Sequence, residues 1–290
     1  MKNEDSFMMR IVMGGVRGTT PVSHPDYRRY GGATTSVLIE DGAGSRLVID
    51  AGTGLRTLRP RLSDLHGDTP LLMLFTHYHL DHLIGLPAFA PLYRPDCSMT
   101  FASPDREGVS VEQALTRLMA KPFWPVDFSA RRSFLVLSDH ATQTPLRQGG
   151  LAVRWCPVHH RNGCHAYRIE AVTTGASVVF ATDLEWQASD RCEREALLAL
   201  CRTPRPADIL IMDGQYDGSD ASGHAGWGHS TWQDTVALAR AAGVQRLVVT
   251  HHDPELDDDA LDRREQLLQA AMKQACLARE GMEIINRREP

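Results

Sequence analysis

The segment Thr76-His-Tyr-His-Leu-Asp-His82 places three imidazoles and a carboxylate within six residues. Such crowding is costly unless one partner binds all of them. Apolar runs at 72–75 and 83–86 flank the segment, so it is tied to a core on both sides, which argues against a histidine-rich surface loop. Imidazole nitrogen and carboxylate oxygen suit Zn²⁺ first and also admit Mn²⁺ or Fe. A tight loop after a strand can aim His77 and His79 one way and Asp81 and His82 another. That arrangement favours two adjacent metal ions over one.

The pattern of an apolar run followed by a metal-binding side chain recurs. Residues 45–49 lead to Asp50, 71–75 through Thr76 to His77, and 151–158 to His159 and His160. Residues 177–182 lead to Asp183, 208–212 to Asp213, and 245–250 to His251. Short runs rich in Val, Ile and Leu read as buried strands. Loops leaving one sheet edge commonly carry active sites in α/β proteins, so six polar ends of one kind predict a common edge.

Ser230-Thr-Trp-Gln233 has the spacing of a capping box and predicts an Ala-rich helix that stops near Gly243. Leu261, Leu267, Leu268, Ala271 and Ala275 predict a second helix over about residues 259–279. Further helices are expected after Gly85, around 110–119, and over 189–201. Residues 91–130, rich in Pro and aromatics, support no firm assignment. Strands mixed with helices throughout argue for α/β layers in one domain, set here as residues 11–290 behind a flexible tail over 1–10.

The net charge of −5 weighs against a large nucleic-acid footprint, which needs a basic face. Six scattered cysteines without a CxxC pair read as reduced thiols, which is consistent with a cytoplasmic location. The polar N-terminus lacks the apolar stretch of a signal peptide, and no run is long enough to span a bilayer. A membrane partner is not expected.

His-x-His-x-Asp-His after a strand resembles the signature of metallo-β-lactamase-fold hydrolases, and further motifs of that superfamily can be placed residue by residue. Asp50, in Ile-Asp-Ala-Gly-Thr-Gly54, resembles the carboxylate that braces the histidine loop. His160, followed by Gly163, Tyr167 and Arg168, resembles the third-motif ligand. Asp183, in Phe-Ala-Thr-Asp, resembles the bridging carboxylate, and His251, in Val-Thr-His-His-Asp-Pro, the last ligand. The resemblance spans about residues 11–254 and implies a four-layer αββα sandwich with a dinuclear site. It assigns His77, His79 and His160 to one ion and Asp81, His82 and His251 to the other, with Asp183 between them. Asp81 and Asp183 thereby also belong to the catalytic centre. His159 and His252 adjoin two of the ligands. His160 is chosen by its spacing to Tyr167, and His251 because it directly follows its strand. His252 and Asp213 are expected to support ligands through hydrogen bonds.

Two cations sharing a water lower its pKa toward neutrality and polarise the electrophile. This identifies hydrolysis but not the bond. Gly15-Val-Arg-Gly-Thr-Thr-Pro21, Arg29-Tyr-Gly-Gly32 and Gly226-Trp-Gly-His-Ser-Thr231 resemble the cyclic-nucleotide and cyclic-phosphate phosphodiesterases near tRNase Z and PhnP. That branch implies attack by a hydroxide bridging the two ions. Arg17, Gly18, Thr19 and Trp227 become candidate substrate contacts, with a purely bracing role as the alternative for Arg17. His229 resembles a proton donor to the leaving alkoxide; its alternative is a buried histidine that merely orients Asp213.

This chain has Ala33 where such relatives carry Asn. It also has only a short stretch between His160 and Asp183, where tRNase Z inserts a long arm. A small phosphodiester such as a cyclic nucleotide is therefore expected rather than a long nucleic acid. The competing readings are hydrolysis of a lactone, thioester or β-lactam, which leaves His229 without a task, and a catalytically silent ligand-binding protein, which the complete ligand set disfavours. The segment Pro122-Phe-Trp-Pro125 offers a pocket wall, a core corner or a homodimer contact. His24, His66, His140, His165 and His224 are read as surface or core residues.

Overall fold

The computed structural model describes residues 8–65, 70–105, 108–126, 132–138, 144–219 and 221–288. Strands β1 (Met8–Gly15), β2 (Ser36–Asp41), β3 (Arg46–Ile49), β4 (Leu71–Leu74), β5 (Met99–Pro104) and β6 (Arg132–Leu137) come first. They are followed by β7 (Leu146–Gln148), β8 (Leu151–Val158), β9 (Cys164–Ala171), β10 (Ser177–Ala181), β11 (Ile209–Asp213), β12 (Arg246–Thr250), β13 (Ala275–Leu277) and β14 (Glu283–Arg287). Among the described residues these make two seven-stranded sheets, ordered β14-β1-β2-β3-β4-β5-β6 and β13-β12-β11-β10-β9-β8-β7. Each sheet is antiparallel at one end and parallel at the other.

Side chains alternate across a strand, and that alternation builds the layers. Leu47 and Ile49 of β3 join Ile209 and Ile211 of β11 in the core between the sheets. Val48 faces the other way, toward α1 (Leu55–Leu58) and α2 (Val111–Leu118). Leu210 and Met212 face α3 (Arg191–Arg202), α4 (Trp232–Ala242) and α5 (Asp258–Ala271). With both faces covered, the strands read as continuous apolar runs. The result is the four-layer αββα sandwich.

Several local expectations shift by a few residues or fail. Met8–Arg10, placed in the tail, pair with β2 and β14 as the start of β1. The α4 box is shifted by one residue: Thr231 accepts from the Asp234 N–H at 3.1 Å, and Asp234 accepts from the Thr231 N–H at 3.3 Å. Ser230 instead donates to the Leu184 carbonyl at 2.6 Å and accepts from the Trp186 N–H at 3.2 Å. Gly243 ends α4 at φ 71°, the left-handed cap expected of it.

The helix expected directly after Gly85 is not α-helical. The chain makes 3₁₀ turns at Leu86–Ala88 and Ala90–Tyr93, because Pro87 and Pro91 remove donors and restrict the residues before them. The helix over 259–279 is cut at Ala271, and Ala275–Leu277 pairs with β12 as an edge strand. Pairing along an open edge outweighs the helical spacing of Ala275. Leu268 is fully buried while Leu267 is 56% exposed, so only part of the apolar spacing faces the core. Leu268→Ala is expected to cost about 2–5 kcal/mol in a urea titration, and Leu267→Ala less than about 1 kcal/mol; equal losses would show that the helix face is misassigned.

Candidate metal centre

The parallel registers deliver the ligand-type residues to one edge. Phe180 pairs with Ile211 and Ile211 with Val248, so Asp183, Asp213 and His251 leave three adjacent strands at the same end. Asp50 and the histidine loop leave β3 and β4 in the facing sheet. Asp50, Asp183 and His251 have φ of 59°, 57° and 61°, a left-handed conformation costing roughly 1–2 kcal/mol at a residue with a Cβ. Such outliers persist where the surroundings over-determine them, commonly at functional sites.

Among the described residues three groups of ligand-type atoms form there; two of them meet at Asp183, and the third is Asp213, His229 and His251. The nitrogens of His77, His79 and His160 lie within 4.8 Å of one another, as do the ligand atoms of Asp81, His82, Asp183 and His251. Asp183 joins the groups. Its Oδ1 is 3.8 Å from His77 Nε2, 3.9 Å from His160 Nε2 and 3.3 Å from His251 Nε2; its Oδ2 is 3.2 Å from His82 Nε2. Asp81 Oδ2 lies 3.3 Å from His82 Nε2 and 3.4 Å from His251 Nε2.

The imidazoles are aimed from behind. His82 Nδ1–H donates to Asp50 at 2.8 Å, His251 Nδ1–H to the Gln215 side-chain oxygen at 2.9 Å, and His160 Nδ1–H to the Gly228 carbonyl at 2.8 Å. The Thr76 hydroxyl donates to Asp50 at 2.8 Å and so accepts from His77 Nδ1–H at 3.0 Å. These partners set tautomers that leave each Nε2 lone pair pointing inward. Nε2 of His77, His82 and His251 is buried without a hydrogen bond, which is costly unless a cation completes the site. The donor set and these orphaned nitrogens fit divalent metal ions.

Charge within the site is strongly coupled. Burial alone would raise the Asp183 pKa, but His251, His82 and His77 outweigh it and hold the carboxyl well below its usual range. Burial, then the adjacent His82, pushes His77 well down. For His229, burial lowers the pKa, yet Asp213, helped by Asp183 and Asp81, brings it up to about 9. His229 Nδ1 is 2.8 Å from Asp213 Oδ2, and its ring stacks on His251 at 4.9 Å between centroids and lies 5.4 Å from His160. It therefore sits beside the two groups that meet at Asp183.

The paired histidines separate cleanly. His159 turns to Glu193 at 3.2 Å, away from the cluster. His252, expected to support a ligand, instead donates to the Ala278 carbonyl at 2.9 Å and packs edge-on against Tyr30. Arg17 is not at the site. Its buried guanidinium donates to the carbonyls of Gly31, Asp253 and Leu256 and lies over Tyr27, which is the bracing alternative. Gly18 abuts the His251 ring, where a Cβ would come within 2.5 Å of Nδ1. The Thr19 N–H donates to Asp81 at 2.9 Å, so both residues buttress side chains of the cluster. Trp227 is 59% exposed on the rim, edge-on to His224. His66 and His140 lie outside the described residues.

Two supporting residues escaped the sequence reading. Glu185 accepts from the N–H groups of Gly226 and Gly228 at 2.8 and 2.9 Å, locking the loop before His229. Gln215 orients His251. A carboxylate two residues after Asp183 was the available signal for Glu185, whereas an isolated Gln carries none.

Residues 45–252 match the family described as Beta-lactamase superfamily domain. The chain is 23% identical to a Ribonuclease Z of Lachnoclostridium phytofermentans over 86% of its length and 89% of that protein. The metallo-β-lactamase fold protein YhfI from Bacillus subtilis superposes with a TM-score of 0.70 at 18% identity, covering 95% of this chain and 99% of that one. A diphosphatase from the PhnP family superposes at 0.69 with 17% identity, covering 95% and 97%. The family match, taken with a centre whose donors suit divalent metal ions, means that this chain belongs to the metallo-β-lactamase superfamily of metal-dependent hydrolases.

Proposed function

We propose that this chain is a dinuclear phosphodiesterase acting on a small phosphodiester, with a cyclic nucleotide as one member of that class. The observation that carries the reading is the position of His229, hydrogen-bonded to Asp213 and stacked beside two ligand groups that share Asp183. His77, His79 and His160 would hold one ion, and Asp81, His82 and His251 the other, with Asp183 touching both. Zn²⁺ suits these nitrogen and oxygen donors, and Mn²⁺ or Fe is the alternative. Divalent ions held by these residues would supply an acidified water as nucleophile and positive charge for the phosphoryl oxygens.

The chain's own residues do the rest. Asp50, Thr76, Gln215 and the Gly228 carbonyl keep the imidazole lone pairs converged, so binding needs little reorganisation. Asp213 fixes the Nδ1–H of His229 and orients the ring, leaving Nε2 to deliver a proton to the departing oxygen. A ribose or alkyl oxygen is a poor leaving group, so this proton matters most for such esters. Support for a small substrate is local: only the hairpin of β9 and β10 lies between His160 and Asp183, without an arm to grip RNA. No helix among the described residues is long and apolar enough to cross a membrane. The Ribonuclease Z relative makes RNA the competing substrate.

Elemental analysis of purified protein is expected to give two divalent ions per chain, with at least one lost in Asp183→Asn; full retention in that variant would remove Asp183 from the centre. His229→Ala is expected to keep both ions and to lose about 10²–10⁴-fold in kcat on a diester with an alkyl or ribose leaving group. Its loss on a p-nitrophenyl ester, whose leaving group needs no proton, should be far smaller. Equal losses on the two would exclude the acid role. Cleavage of a precursor tRNA at a higher kcat/KM than any small diester would overturn the substrate class, and turnover of lactones with inert diesters would overturn the reaction.

A further inference from the structure

A groove of about 870 Å³ begins at the histidine loop itself. Tyr78 and Leu80, which alternate with His77, His79 and Asp81, lie on its wall, and so does Asn162, two residues after His160. Leu83 and Ile84 extend that side, while Leu118, Phe123 and Trp124 face the groove from α2 and the turn after it. The volume is that of a site for a sizeable organic group, and such sites are mostly apolar with a few polar anchors.

Polar side chains are few in the described lining: Tyr78, Arg117, Trp124 and Asn162. The Tyr78 hydroxyl is engaged with the Pro104 carbonyl at 3.3 Å, and the Trp124 indole N–H with the Tyr93 hydroxyl at 2.8 Å. Arg117 is the charged residue among the described lining. A sugar or base edge placed here would give up water for few hydrogen bonds, a net cost. Meanwhile Leu80, Ile84 and Phe123 are 62%, 47% and 81% exposed, and apolar side chains clustered around a concavity beside a reaction centre mark a surface that gains by being covered. Within the segment Pro122-Phe-Trp-Pro125, Phe123 and Trp124 line the groove, and Trp124 also packs against the core. A substrate whose phosphoryl group lies at the metal centre and whose ester group extends into the groove would meet these apolar walls, with Arg117 the charged residue of the described lining.

We infer that the groove selects the substrate's ester group, and that this group is a bulky apolar one, aromatic or branched, poor in hydrogen-bonding groups. The inference rests on the phosphodiesterase reading for the reaction and deepens it by naming what the phosphate esterifies. Leu80 and Tyr78 gain from contact with such a group while their neighbours hold the reacting phosphate, so affinity and positioning come from one segment. A nucleoside is the occupant the walls disfavour, although aromatic faces can stack on bases.

Isothermal calorimetry on the metal-loaded protein tests this with 1-naphthyl phosphate, methyl phosphate and thymidine 5′-phosphate. The naphthyl ester is expected to bind at least ten-fold tighter than the other two. That preference should fall to near unity in Ile84→Ala/Phe123→Ala, whose side chains are exposed enough to leave the fold intact, and should persist in Leu267→Ala on the remote helix α5. Equal affinities, an undiminished preference in the double variant, or tightest binding of the thymidine ester would each overturn the inference. A naphthyl preference that holds while no diester is hydrolysed would leave the groove standing and discard the phosphodiesterase reading instead.

Discussion

A buried carboxylate facing five imidazoles is the constraint around which this molecule is arranged. Asp183 is 2% exposed and lies within 4.0 Å of His77, His82, His160, His229 and His251. Removing a carboxylate from water is expensive unless positive charge and hydrogen bonds replace the solvent. Asp50 and Asp81 deepen the need by adding two more acids against His82. Divalent cations would meet the demand with charges that do not depend on pH, while protons on the histidines meet it only in part. The supporting hydrogen bonds from Asp50, Thr76, Gln215 and Gly228 have one effect in common, which is to hold each ring with its Nε2 aimed inward.

The sandwich makes that concentration of charge tolerable. Each sheet turns from antiparallel to parallel across its width, so the parallel halves supply ends that point in one direction. The core between them, from Ile49 and Leu74 to Phe180 and Ile211, is rigid enough to impose left-handed conformations on Asp50, Asp183 and His251. Strain of this kind at three strand ends would relax in a looser scaffold. Here it aims carboxylate and imidazole across the gap between two sheets, so ligands far apart in sequence reach a common point.

Loops are used unequally around the centre. On one side Glu185 clamps the Gly226–Gly228 turn, and Gly18 lies flush against His251, leaving no room for a side chain. On the other side the 3₁₀ turns after the histidine loop and the turn after α2 leave an open apolar groove. Tightness around the histidine and aspartate cluster and openness at the groove follow from the same chain. Glycines and a buried glutamate serve the first, prolines and aromatics the second.

By itself, the order of residues determined the layered class and placed ligand-type side chains at the strand ends, because these depend on local patterns. Alternating or continuous apolar runs, left-handed caps at glycine, and the spacing of His77, His79, Asp81 and His82 are all written within a few residues. Only the tertiary structure decided what distant groups do. Arg17 became a brace because three carbonyls from remote segments converge on it, and His252 became a tie to Ala278. Gln215 gained a role that no neighbouring residue announces, and Glu185 one that only its spacing from Asp183 hints at. The capping frame of α4 and the end of α5 were settled the same way: Ser230 was needed at Leu184 and Trp186, and β12 offered an open edge. Hydrogen-bond partners across the fold are competed for by every segment that reaches them, and a one-dimensional pattern carries no record of which segment arrives.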